Sequence, residues 1–151
     1  AAETGLNNPP VELGITPYEV LIIASLIEEE TALSEERNKI ARVIYNRLEK
    51  NMPLGIDATI IYALGGDREL TLSDLDVDSP YNTRKVVGLP PTPISAPGQA
   101  SIEAALNPAV GDWLFYVRTD NFGTGSHTFT VTEADFNEAV QVCIERDLGC
   151  G

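Results

Sequence analysis

Thr16-Pro17-Tyr18-Glu19, the uncharged run Val20-Leu21-Ile22-Ile23-Ala24-Ser25-Leu26-Ile27 and then Glu28-Glu29-Glu30-Thr31 form the stretch from which the fold can be built. Thr16 suits a helix N-cap, Pro17 suits the first turn, and Glu19 stands three residues after the cap. Eight residues without charge are too few to span a membrane and well suited to a buried helix. Three carboxylates then crowd the C-terminal end, where the helix dipole does not favour them. A carboxyl held there against apolar packing and like charges is expected to have a raised pKa, as a general acid requires. Glu28 has the best surroundings for this: its neighbours three, four and seven residues back are Ser25, Ala24 and Leu21. At most one or two of the three acids can face one site, and a merely solvated helix end is the competing reading.

Outward from this helix, the chain reads as one domain. Its 151 residues can bury roughly two-thirds of the unfolded surface. Hydrophobic residues at 43% and charged residues at 22% describe a globular chain. A formal charge of -13, with no local Lys/Arg cluster, argues against nucleic acid and is compatible with an uncharged ligand such as a glycan. No apolar segment is long enough to cross a membrane, so no membrane contact is expected of this stretch itself. Ala1 to Ile15 reads as a linker or the remnant of an upstream region, and 16–151 as the domain. Cys143 and Cys150 offer no zinc site; they are either a bridge pinning the last helix or free thiols.

In chain order, Ser34 is expected to cap a second helix ending near Lys50, which forms a helical hairpin with the first. Asn46 and Arg47 fall late in it, toward its partner. Asp57 offers a cap to a short helix over 58–64, stopped by Gly65-Gly66. Thr71 to Asp78 reads as a helical turn or an edge segment. From Ser79 to Gly98, five prolines suggest a rigid, ordered loop presenting Tyr81, Asn82, Thr83 and Ser95. Gln99 to Leu106 is a short helix. Trp113 to Val117 and His127 to Val131 read as an antiparallel hairpin across the turn cluster 120–125. Thr132 and Asp135 start a last helix with Phe136, Ala139, Val140, Cys143 and Ile144 on one face. The fold class is α+β, helices with one small antiparallel sheet.

The chemistry narrows by elimination. One histidine and no Gly-x-Ser-x-Gly elbow leave little room for a nucleophilic triad, and no Gly-x-Gly-x-x-Gly, phosphate loop or EF-hand spacing is present. No cofactor or metal is expected. A carboxylate enzyme remains, with Glu28 first and Asp57 a second candidate that a capping role explains equally well.

The string Ala24-Ser25-Leu26-Ile27-Glu28-Glu29-Glu30-Thr31 resembles the A-S-I-V-E-K-E-T motif of the MltG/YceG-like endolytic murein transglycosylases. The resemblance continues through Asn46-Arg47-Leu48, Asp57-x-Thr59-x-Ile61-Tyr62, Ser79-Pro80-Tyr81-Asn82-Thr83, Gly88-Leu89-Pro90-Pro91 and Asn107-Pro108 to His127-Thr128-Phe129. It departs at Gly55 and Ala58, where the family commonly has Gln and Pro. It implies a lyase that cuts the MurNAc-β-1,4-GlcNAc bond within peptidoglycan strands and leaves 1,6-anhydro-MurNAc ends. By carry-over, Glu28 is the general acid/base, Glu30 supports it, and Asp57, Thr59, Tyr62, Tyr81, Asn82, Thr83 and His127 line the glycan groove. It also implies a parent protein anchored by an N-terminal helix at the extracytoplasmic face of the bacterial membrane, with peptidoglycan synthases as candidate partners. A muramidase using Glu28 with Asp57 or Glu30, and a non-catalytic glycan-binding or scaffold module, are the alternatives.

Overall fold

A computed structural model describes residues 14–31, 33–66, 69–119 and 126–146. Helix α1 runs Pro17–Glu30. Its capping box is closed in both directions: Thr16 Oγ1 accepts from the Glu19 amide at 3.2 Å, and Glu19 Oε1 accepts from the Thr16 amide at 3.0 Å. Every residue from Val20 to Ile27 except Leu21 is buried, so α1 is enclosed almost all round instead of showing one apolar stripe. It is the axis of the core, which also takes Ile40, Ala41, Ile44, Ile56, Ile102 and Ala105.

Helix α2 spans Arg37–Glu49 after a 3-10 turn at Ser34–Glu36. Ser34 is therefore not its cap; α2 begins at Glu36 with no side-chain cap bond. Helix α3 is Asp57–Ala63, and a second 3-10 turn covers Asp74–Asp76. Helix α4, Gln99–Leu106, lies against α1 and α2. Tyr45 Oη donates to Ala105 O at 2.6 Å, and Asn38 Nδ2 to Asn107 O at 2.7 Å, so α2 satisfies carbonyls at the end of α4.

Strands β1 (Phe115–Arg118) and β2 (His127–Thr130) form the antiparallel sheet, pairing Tyr116 with Phe129 and Arg118 with His127. The expected turn at 120–125 lies outside the described residues. Asn46 and Arg47 reach this sheet's approach instead of α1. Asn46 Nδ2 donates to Trp113 O at 2.9 Å, and Arg47 Nε donates to Leu114 O at 2.6 Å. Helix α5, Glu133–Glu145, packs on the sheet; Thr132 Oγ1 caps it by accepting from the Asp135 amide at 3.1 Å. Cys143 is buried and disulfide-bonded, while Cys150 and most of the expected 1–15 linker lie outside the described residues. Among the described residues no helix is long and apolar enough to cross a membrane.

The proline-rich segment is seated on α1 through Ser25. Ser25 Oγ accepts from the Ile94 amide at 3.0 Å and donates to Ile22 O at 2.7 Å, while Ser95 Oγ donates to Ser25 O at 3.2 Å. A buried serine in an otherwise apolar run is thus the attachment point of the loop.

Candidate functional site

Two residues along a helix turn the side chain by about 200°, so Glu28 and Glu30 leave α1 on opposite sides. Glu28 meets the start of α4: its Oε1 accepts from the Gly98 amide and from Ser101 Oγ, each at 2.9 Å. A Cβ at Gly98 would stand 3.4 Å from that oxygen, in ordinary contact with it. The Gly98 amide, then the Ser101 hydroxyl, and more weakly the Arg37 charge hold the Glu28 carboxyl below the usual range, against a smaller opposing effect of burial. The expected upward shift at Glu28 is overturned: the face predicted to be apolar carries donors from a helix 70 residues later.

The raised acid is Glu30. It stands in a cleft of about 340 Å³ lined by Arg47, Gly55, Asp57, Tyr116, Arg118 and His127, among others. Burial is the main cause of the shift, and the Asp57 and Glu29 charges add to it; the Tyr116 hydroxyl works in the opposite direction. Tyr116 Oη donates to Glu30 Oε1 at 2.5 Å. Its own pKa is pushed well up, first by burial and then by the Glu30 charge, which keeps it a donor. Glu29 is exposed at the edge of the same cleft.

The other expected residues divide. Asp57 and His127 line the cleft with Glu30. Asp57 opens α3 without capping it, because its carboxylate is taken by Arg84, with Nε at 2.7 Å and Nη2 at 3.2 Å. His127 Nδ1 lies 2.8 Å from Glu36 Oε1. Thr59 and Thr83 are fully buried and spend their hydroxyls inside the fold. Thr83 Oγ1 bonds the amide and carbonyl of Ile56, and the two threonine oxygens are 3.0 Å apart. Asn82 is likewise buried, donating to Leu75 O and Val77 O. Thr59 and Thr83 hold the loop to the start of α3, Asn82 holds it to the 75–77 segment, and none of the three lines the cleft. Tyr62 and Tyr81 form a ring pair at 5.2 Å outside the cleft lining; Tyr62 is 45% exposed and Tyr81 Oη bonds Thr92 Oγ1 at 2.7 Å.

Tyr116, Arg47 and Glu36 were not among the expected site residues. Tyr116 sits mid-strand, where an aromatic reads as packing, and no local spacing ties it to Glu30, 86 residues earlier. Among the described residues no cluster of His, Cys, Asp and Glu has the makings of a metal site. The arrangement offers one protonatable acid, a fixed hydroxyl donor and an anion paired to arginine, all at one opening.

The sequence profile of the YceG-like family matches residues 3–142. An endolytic murein transglycosylase of Bacillus subtilis is 45% identical over 126 residues, covering 83% of this chain and 34% of the relative. One from Streptococcus pneumoniae is 38% identical over 134 residues, 85% of this chain and 24% of the relative. The crystal structure of a YceG-like protein from Listeria monocytogenes superposes with a TM-score of 0.77 at 43% identity, covering 85% of this chain and 41% of that one. The chain thus spans about a third or less of the curated relatives it matches.

Proposed function

The chain belongs to the YceG-like family, and from that membership we propose that it is the glycan-cleaving unit of an endolytic murein transglycosylase, with Glu30 as its general acid and base. The relatives named for this activity support the reaction class. The observation that carries the residue assignment is Glu30 itself: a carboxyl with a raised pKa, hydrogen-bonded to Tyr116, in the cleft that also holds Asp57 and His127. The sequence reading favoured Glu28, whose bonds to Gly98 and Ser101 instead suit a permanent anion that secures α4.

The proposed bond is the MurNAc-β-1,4-GlcNAc linkage. Protonated Glu30 gives its proton to the glycosidic oxygen as the C1–O bond breaks. The resulting carboxylate then takes the proton of the C6 hydroxyl as that oxygen closes on C1, leaving a 1,6-anhydro-MurNAc end and returning Glu30 to its acid form. Because the nucleophile belongs to the sugar, no second free carboxylate is needed, in contrast to the hydrolases. Intramolecular closure also has a high effective molarity. Asp57, paired with Arg84, can offset positive charge developing at C1. Tyr116 favours the ionised form of Glu30 and so eases the first proton transfer.

A muramidase would use Asp57 as the second carboxylate, and the bidentate Arg84 contact disfavours that role. Mass spectrometry of glycan strands after digestion separates the two: anhydro ends are one water lighter than reducing ends. Reducing ends as the main product would sink the transglycosylase reading, and strand binding without any cut would favour a scaffold role. The substrate places the site of action outside the cytoplasmic membrane, in keeping with an anchored parent protein, and peptidoglycan synthases are the proposed partners.

A further inference from the structure

His127 shares the cleft with Glu30 and meets the same tyrosine, its ring lying edge-on to Tyr116 with centroids 5.5 Å apart. It is held by one carboxylate at two points. The His127 backbone amide donates to Glu36 Oε2 at 2.8 Å, and Nδ1 lies 2.8 Å from Glu36 Oε1. Both side chains show only about a tenth of their surface. A carboxylate receiving an N–H at each oxygen has nothing to donate, so Nδ1 must carry hydrogen. A neutral imidazole has one N–H, which leaves Nε2 with its lone pair.

Nothing local requires Glu36 to do this. It stands at the head of α2, where the helix dipole favours a negative charge, yet its side chain makes no cap bond there. Its carboxylate goes instead to a ring 91 residues away, in the only histidine of the chain.

We propose that Glu36 is a positioning residue that locks His127 in the Nδ1–H tautomer, so that Nε2 accepts a hydrogen bond from a sugar hydroxyl of the glycan bound beside Glu30. This rests on the function proposed above, because the hydroxyl is the substrate's. His127 moves no proton; it orients the sugar whose bond Glu30 opens. One histidine also means one set of ring signals, so the tautomer can be read without assignment.

The test is ¹⁵N NMR of the imidazole in the whole chain, above the pH at which the ring is charged. The expected result is a protonated Nδ1 and a pyridine-type Nε2, and purified glycan strands added to the non-cleaving Glu30→Gln variant should move Nε2 far more than Nδ1. Glu36→Gln replaces one of the two accepting oxygens by an NH2 donor and should lose the tautomer preference, with KM raised about tenfold, the worth of one hydrogen bond, and kcat changed less. His127→Gln, whose amide oxygen reaches close to the Nε2 position, should keep more of the affinity than His127→Asn, which reaches only that of Nδ1. A wild-type ring with hydrogen on Nε2, or an Nε2 signal indifferent to glycan, overturns the proposal, and neither measurement depends on a Glu36 variant folding. Failure of the transglycosylase reading looks different: the ring holds its tautomer, but digested strands carry no anhydro ends.

Discussion

Glu28 and Glu30 leave the same last turn of α1, and the two sides of that helix treat them in opposite ways. On the α4 side, an amide and a hydroxyl converge on one oxygen of Glu28, and the ionised form is favoured. On the hairpin side, the single hydroxyl of Tyr116 does not offset burial and the charges of Asp57 and Glu29, so Glu30 holds its proton more tightly. Both acids have like charges close by in sequence. What separates them is burial first and the supply of donors second: Glu30 is enclosed with one donor from β1, while Glu28 stands more open with two donors at the head of α4.

The hardest test of this contrast is to neutralise each acid alone. Glu30→Gln is expected to lower kcat for strand cleavage by about 10²–10⁴-fold, while Glu28→Gln stays within about tenfold, both followed by release of anhydro ends. Equal losses in the two variants would erase the distinction. Stability should rank them the other way. Glu28→Ala leaves the Gly98 amide and Ser101 hydroxyl without their anion, and urea unfolding at neutral pH should show a loss of about 1–3 kcal/mol. Glu30→Gln should be close to neutral or stabilising under the same conditions, since it removes a charge that burial opposes.

The pH dependence sharpens the same point through its sign. The folded pKa of Glu28 lies below its unfolded value. Its contribution is therefore complete above about pH 4.3 and lost as pH falls through the folded pKa. The folded pKa of Glu30 is raised, so its contribution is complete below about pH 4.3 and lost as pH rises through the folded pKa. Difference curves of unfolding free energy for Glu28→Gln and Glu30→Gln against the parent should bend in opposite directions; parallel curves would count against the assignment. Smaller effects belong to the neighbours of Glu30. Tyr116→Phe removes a donor to the carboxylate and should move the alkaline limb of kcat/KM up by about one pH unit. Asp57→Asn removes a like charge already paired with Arg84, and should move that limb down by a fraction of a unit.

Much of this fold could be read from the chain because its signals are local. The Thr16–Glu19 box, the Thr132 cap and the α4 span 99–106 each depend on residues within one or two turns. Ser34 misled for a local reason too: a 3-10 turn begins there, and Glu36, which takes the cap position of α2, is drawn away to His127. The site was legible only in part. Helical phase separates Glu28 from Glu30, but it does not say which side a hairpin nearly ninety residues later will cover. Ser25, Ala24 and Leu21 suggested an open apolar face for Glu28, whereas α4 supplies its contacts. Gly98, the N-cap of α4, has no side chain to bond the first turn, which leaves room there for an acceptor from another element. Thr59, Asn82 and Thr83 carry hydroxyl and amide groups that suit a sugar as well as a loop, and only burial tells these uses apart.

The carboxylate of Glu28 also bears on which part of the molecule opens first. At eight residues α4 is too short to persist alone in water, and an acceptor for its first amide arrives from a helix 70 positions earlier. α4 therefore owes its persistence to its contacts with α1 and to the loop that is closed on Ser25. In native-state hydrogen exchange, the amides of α4 should open together with those of the 94–98 segment as one cooperative unit, below the free energy at which α1 itself exchanges. Removing the Glu28 carboxylate should lower the opening energy of that unit while leaving α1 protected, turning a short helix and a proline-rich strap into the first part of the molecule to come loose.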